Sequence, residues 1–220
     1  MAAESKDRSK SGFFISLEGI EGTGKSTQAA MLAERLSDAG FDVLLTREPG
    51  GTVIGNRIRD ILLLPDHGEM SFVTELLLYN AARSQLLAEK ILPALKEGKI
   101  VITDRFSDST FAYQGYGRGI DSALIYALDK IATGGMKPDL TLLFDLDIET
   151  GLKRNRKVNK IDRLELEDIA FHRKVLYGFR ELAKKEPDRI KIIDASVPVD
   201  EVGEVAWRIV SEEMNKRGLL

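Results

Sequence analysis

Five short apolar runs recur along the chain, and a longer segment of helical spacing follows each. The runs are Phe13–Leu17, Val43–Thr46, Ile100–Thr103, Leu140–Phe144 and Ile190–Ile193. They are nearly continuous rather than alternating, the pattern of strands covered on both faces. After the first run, Ala29, Leu32, Ala33 and Leu36 fall at i, i+3, i+4 and i+7, and Gly40 ends that helix. Further helical patterns cover Ser71 to Leu95, Asp121–Ala132 and Glu165–Lys185. The last helix carries Val202, Val205, Ala206, Ile209 and Val210 on one face. Strand–helix alternation of this kind predicts an α/β fold: a five-stranded parallel sheet with right-handed crossovers and helices on both faces, in three layers.

Two segments break the pattern. Phe106–Gly119 is rich in Ser, Tyr, Gln and Gly and leaves the third strand directly. Lys153–Arg163 holds six Lys and Arg residues after the fourth strand. Both read as loops at the carboxyl edge of the sheet, where an open α/β fold builds its ligand site.

Composition narrows the chemistry. With no cysteine and only His67 and His172, the 220 residues offer no disulfide, no thiol nucleophile and no histidine-rich metal site. Lys and Arg total 32 against 35 Asp and Glu, a net charge of −3, so no basic excess points to nucleic acid. Apolar residues at 43% and charged residues at 30% are ordinary globular values. No run is long enough to cross a bilayer, and the first dozen residues lack the apolar stretch of a signal peptide. The expectation is a disordered segment over 1–12, one domain over 13–220, and a cytoplasmic protein.

The strongest motif is Gly19-Ile20-Glu21-Gly22-Thr23-Gly24-Lys25-Ser26, followed by Thr27. It fits the phosphate loop G-x4-G-K-[ST] and stands where that loop must, between an apolar strand and an amphipathic helix. Its glycines let backbone N–H groups face a phosphate chain at a helix N-terminus. Lys25 is placed to reach the β- and γ-phosphates of a nucleoside triphosphate, and the Ser26 hydroxyl to ligate Mg²⁺. Asn159-Lys160-Ile161-Asp162 imitates a guanine-reading N-K-x-D motif but lies in a charged loop. The only D-x-x-G, Asp200–Gly203, comes after it instead of before. We read this match as coincidence.

Asp104 sits at the tip of the third strand like a metal-holding aspartate, with Arg105 next to it. Tyr79 and Arg83 share a helix face at i, i+4. That spacing fits an aromatic plane stacking a base with a guanidinium donating to it. By spacing alone it fits better a core tyrosine and an arginine in a salt bridge.

Four further motifs carry a family resemblance. Thr46-Arg-Glu-Pro-Gly-Gly-Thr52, Asp104-Arg105-Phe106-x-x-Ser109, Ala112-Tyr113-Gln114-Gly115 and Leu152-Lys-Arg-Asn-Arg156 with Asp162-Arg163 occur in order with the phosphate loop. Together they resemble bacterial thymidylate kinase, a P-loop nucleoside monophosphate kinase. The resemblance implies Mg²⁺-dependent transfer of the ATP γ-phosphoryl group to dTMP, giving ADP and dTDP for dTTP synthesis, in a homodimer with a short basic lid over residues 150–163.

It also implies roles. Tyr79 takes the place of the residue that stacks on thymine, and Arg83 that of the donor to its O4. Ser109, Thr110 and Gln114 match the base pocket, and Tyr113 the gate against a ribose 2′-hydroxyl. Arg59 and Arg105 match the arginines on the monophosphate, which favours an acceptor already bearing phosphate over a nucleoside. Glu48, before Pro49, stands near the metal, and Glu21 near the sugar 3′-hydroxyl. Thr23 leaves the phosphate loop without an arginine, so the catalytic arginines fall in the lid, where Val158 and Asn159 replace the usual arginine and glycine. Arg154 and Arg156 then share the donor phosphates, with Lys157 or Lys160 as substitutes and Arg163 placing the lid.

Overall fold

The computed structural model describes residues 12–156 and 162–220. Lys157, Val158, Asn159, Lys160 and Ile161 lie outside the described residues, as does the segment 1–11. Each apolar run forms a strand: β1 (Phe13–Glu18), β2 (Val43–Arg47), β3 (Ile100–Asp104), β4 (Leu140–Asp145) and β5 (Ile190–Asp194). They pair in parallel in the order β2-β3-β1-β4-β5. The three inner strands are buried over nearly their whole length, as their unbroken apolar runs imply. The edges are not: Leu45 of β2 and Ile192 of β5 are exposed.

Alternation along β1 divides the core. Phe13, Ile15 and Leu17 join Ile100, Ile102, Leu140 and Leu142 beneath α1 (Lys25–Asp38) and α9 (Val199–Lys216). Phe14 points the other way, to Phe106, Val101 and Leu86. Ser16 and Glu18 share that second face, so polar atoms lie buried in the sheet on the side that leads to the site. Ser16 Oγ meets Thr141 Oγ1 at 2.7 Å. Thr141 Oγ1 in turn lies 3.2 Å from Asp108, which Arg189 grips through both oxygens.

The helices differ from expectation in five places. The pattern from Ser71 is α3 (Phe72–Leu86), capped by Ser71, then a π-helical stretch Leu87–Ile91 and α4 (Leu92–Lys96). An unexpected α2 (Val53–Leu63) precedes it, with Thr52 Oγ1 accepting from Gly55 N–H at 2.9 Å. Phe106–Gly119 is helical, not a loop. It forms α5 (Ser107–Thr110) and a π-helical stretch Phe111–Gly117, held because Gly117 lets Phe171 and Val175 pack directly against the backbone. α6 (Ser122–Thr133) follows, started by Asp121. The first part of the basic segment is also helical, α7 (Ile148–Arg156). Finally, α8 (Ile169–Lys185) starts four residues later than its apolar pattern, because Asp168 caps it through Phe171 N–H at 2.7 Å. Among the described residues, no helix is long and apolar enough to cross a membrane.

The centre of the sheet tolerates little loss of volume. Ile102→Ala removes a fully buried side chain between α1 and the inner strands. It should lower unfolding free energy by about 2–5 kcal/mol, read from urea denaturation.

Candidate active site

Parallel pairing brings Leu17 level with Asp104, so the phosphate loop and the Asp104-Arg105 pair leave the sheet side by side. The loop turns through three left-handed glycines, Gly19, Gly22 and Gly24, with φ of +138°, +74° and +88°. Gly22 has a second reason to be glycine, since a Cβ there would strike the carbonyl oxygen of Gly151 in α7. Gly24 caps α1 without a side chain, leaving the first N–H groups of that helix to an anion. Lys25 folds back over the loop, donating to Ile20 O at 2.6 Å and Thr23 Oγ1 at 3.2 Å. Burial, and then the neighbouring Arg105 charge, lower its pKa to about 8. Ser26 Oγ lies 2.5 Å from Asp104 Oδ2.

Arg105 has a left-handed backbone, φ +75°, that a non-glycine residue adopts only under constraint. Its N–H donates to Leu17 O at 2.9 Å, its carbonyl accepts from Thr103 Oγ1 at 2.9 Å, and the next N–H, of Phe106, donates to Glu18 at 2.7 Å. The guanidinium thus pinned donates to Gly19 O, Ser109 Oγ, Glu21 Oε1 and Tyr113 OH, all within 3.2 Å. Burial raises Glu18 to about 8, with the charge of Asp108 adding to the effect. For Glu21 burial acts in the same direction, but Arg105, Lys25 and the Tyr113 hydroxyl at 2.6 Å prevail and lower its pKa. Glu21 Oε2 is buried with no partner among the described residues.

Opposite stands Arg83, 1% exposed. It donates to Glu48 Oε2 at 2.8 Å, Thr110 Oγ1 at 2.8 Å and Asp129 Oδ1 at 3.4 Å. The salt-bridge reading of this arginine is therefore correct, and its guanidinium nonetheless lines the cavity. Burial pushes Glu48 up to about 7 despite Arg83, and its Oε1 has no partner among the described residues. The Glu48–Pro49 bond is cis. Arg59, from α2, donates to Pro49 O at 2.9 Å.

One cavity of about 430 Å³ joins these groups. Of the residues expected from sequence, Glu21, Gly22, Gly24, Lys25, Ser26, Thr27, Glu48, Pro49, Arg59, Tyr79, Arg83, Asp104, Arg105, Ser109, Thr110, Tyr113 and Gln114 line it. Gly19, Ile20 and Thr23 are not among its lining residues. Arg154 is elsewhere, donating to Ala195 O at 2.9 Å beyond β5, and Arg156 ends α7. Arg163 is buried against Leu62 O and Glu75. Sequence reasoning assigned nothing to Arg47, Asn155, Asp162 and Glu165, which also line the cavity. Arg47 was within reach, since it ends β2 in register with Asp104.

A phosphate loop and the side chains of Arg59, Arg105, Arg83 and Tyr79 lining one cavity define a P-loop nucleoside monophosphate kinase. The thymidylate kinase family model matches residues 17–205. Thymidylate kinase of Syntrophotalea carbinolica is 50% identical over 212 residues, 94% of this chain and 98% of that protein. The Desulfosudis oleivorans enzyme is 50% identical over 205 residues, 90% and 94% of the two chains. A solved thymidylate kinase structure from Ehrlichia chaffeensis superposes with a TM-score of 0.76 at 35% identity, covering 90% of this chain and 98% of that one. The chain belongs to the thymidylate kinase family.

Arg83→Met would leave Glu48 and Asp129 without their shared counter-charge. The cost is expected at about 3–5 kcal/mol near pH 8. It should shrink towards pH 5, where native Glu48 is protonated with or without Arg83, since its pKa is already about 7 and rises further without the guanidinium. Denaturant unfolding at the two pH values checks both the size and the sign.

Proposed function

We propose that the reaction of the family, transfer of the γ-phosphoryl group of ATP to dTMP to give ADP and dTDP, takes place in this cavity with the following division of labour. The phosphate loop and Lys25 hold the donor phosphates. Arg59 and Arg105 hold the acceptor phosphate. Tyr79 stacks the base, Arg83 donates to its O4, and Thr110, Ser109 and Gln114 complete the pocket. Tyr113 closes on C2′, and the unpartnered Glu21 Oε2 suits a sugar hydroxyl. The acceptor phosphate is already ionised, so no strong base is needed; orientation and charge neutralisation carry the rate. The observation that carries this reading is the shared wall: Lys25, Asp104, Arg105 and Arg83 face one space.

Ser26 and Asp104 fit Mg²⁺. They present oxygen alone, 2.5 Å apart. No cluster of three His, Cys, Asp or Glu side chains is found among the described residues. A cation held there would need its remaining ligands from water and phosphate, which suits Mg²⁺. When bound, it neutralises charge on the donor phosphates. Glu48, whose Oε1 is unpartnered among the described residues, would approach this cation through water on our reading.

We further read residues 13–220 as one cytoplasmic kinase domain with a lid over 150–163 whose Arg156 serves the donor, as Arg154 would once it left Ala195 O. A homodimer is supported by the exposed Val53, Ile54, Ile61, Val73 and Leu77 on α2 and α3. ADP formation that requires dTMP tests the function; a GTPase-type switch would hydrolyse nucleotide without it.

The role of Lys25 has a pH signature. Its ammonium titrates at about 8, and only the charged form attracts phosphate. With dTMP well below its KM, kcat/KM for ATP should fall as pH rises through about 8. Lys25→Ala should abolish transfer in a folded protein.

A further inference from the structure

One fully buried carboxylate has no part in the roles above. Glu75 lies in the first turn of α3 with none of its surface exposed. Three side chains from distant parts of the chain donate to it. Gln114 Nε2 reaches Oε1 at 2.8 Å. Arg118 reaches Oε1 at 3.3 Å and Oε2 at 3.1 Å. Arg163 reaches Oε2. Burial favours the neutral acid, but Arg118, Gln114 and Arg163 together outweigh it and lower the pKa.

An ionised carboxylate only accepts hydrogen bonds, so it settles which end of the Gln114 amide faces it. The NH₂ group turns to Glu75 and the carbonyl is left as the free end. Gln114 lines the same cavity as Thr110 and Arg83. The wall therefore offers an acceptor together with a guanidinium donor. That pair matches the N3–H donor and C4 carbonyl of thymine or uracil. It opposes cytosine, whose N3 accepts and whose C4 amino group donates.

We propose that Glu75, gripped by Arg118 and Arg163, is a positioning residue for base choice that locks the Gln114 amide with its carbonyl as the accepting edge. The proposal rests on the reading of Gln114 as part of the base pocket.

The test compares kcat/KM for dTMP and dCMP at saturating ATP, using the full chain and the variants Glu75→Gln and Gln114→Met. Gln114→Met should lower the dTMP-over-dCMP ratio by about tenfold to a hundredfold. Glu75→Gln can donate as well as accept, which frees the Gln114 amide to turn over, so it should lower the ratio comparably. The double variant should fall no further. Absolute rates will fall too, because Arg163 shares the carboxylate, but a merely structural Glu75 would slow both substrates alike. A ratio lost in Gln114→Met yet kept in folded Glu75→Gln overturns the proposal alone. A ratio kept in Gln114→Met overturns the base-pocket reading and the proposal with it. Should Glu75→Gln fail to fold, the wild-type enzyme decides. The Gln114 NH₂ protons, assigned by their loss in Gln114→Met, should exchange with D₂O measurably more slowly than those of exposed glutamines, with and without dTMP. Exchange at the exposed rate overturns the proposal.

Discussion

The parallel pairing of β1 between β3 and β4 is the constraint from which the site follows. Parallel strands end at the same edge, so Leu17 beside Asp104 puts the phosphate loop and the Asp104-Arg105 turn within one hydrogen bond of each other. Alternation along β1 does the rest. Its odd-numbered side chains supply the core, while Ser16 and Glu18 take the opposite face and carry polar contacts under the cavity floor. Glu18 meets Phe106 N–H directly after Arg105 and so helps to hold a left-handed backbone at a residue with a full side chain. A register shift of one residue in β1 would exchange these two faces. It would turn Ser16 and Glu18 into the apolar layer beneath α1 and α9 and release Arg105 together.

Charge is organised in the same spirit. Arg83 with Glu48 and Asp129, Arg105 with Glu21, and Arg118 and Arg163 with Glu75 are cations immobilised by buried acceptors. Pairs of this kind contribute little net stability, because desolvation offsets the attraction. Their value here is fixed direction: donors already aimed need no reorganisation when a phosphate or a base arrives. The strain in this arrangement surfaces at Lys25 and Glu48, both moved by burial towards neutrality.

What the sequence made legible follows from the range over which each feature is determined. The phosphate loop, the strand-end Asp104-Arg105 and the five strands depend on neighbours a few positions away, and all were readable. Phe106–Gly119 looked like a loop because Ser, Tyr, Gln and Gly dominate it; its helicity comes from packing on Phe171 and Val175, more than fifty residues on. The start of α8 depended on a single cap, Asp168, which the apolar pattern from Glu165 concealed. Glu75 drew no reading from the sequence. Its partners Arg118 and Arg163 lie 43 and 88 positions away, and no local pattern announces them. Arg83 shows the converse. Spacing offered a base donor or a salt-bridged arginine as rivals; the folded chain shows the salt bridge, on a residue that also lines the cavity.

The contact between Gly22 and Gly151 bears on how this chain can change over generations. At each position a Cβ would meet main chain: the Gly151 carbonyl in one direction and the Glu21 carbonyl in the other. Crowding between two side chains can be relieved by shrinking the partner, so such pairs drift together. Crowding against a carbonyl oxygen has no such remedy, because every amino acid brings the same oxygen. The two sites are thus closed to reciprocal compensation. A lineage can leave this state only by moving α7 bodily away from the phosphate loop, a displacement no single codon supplies.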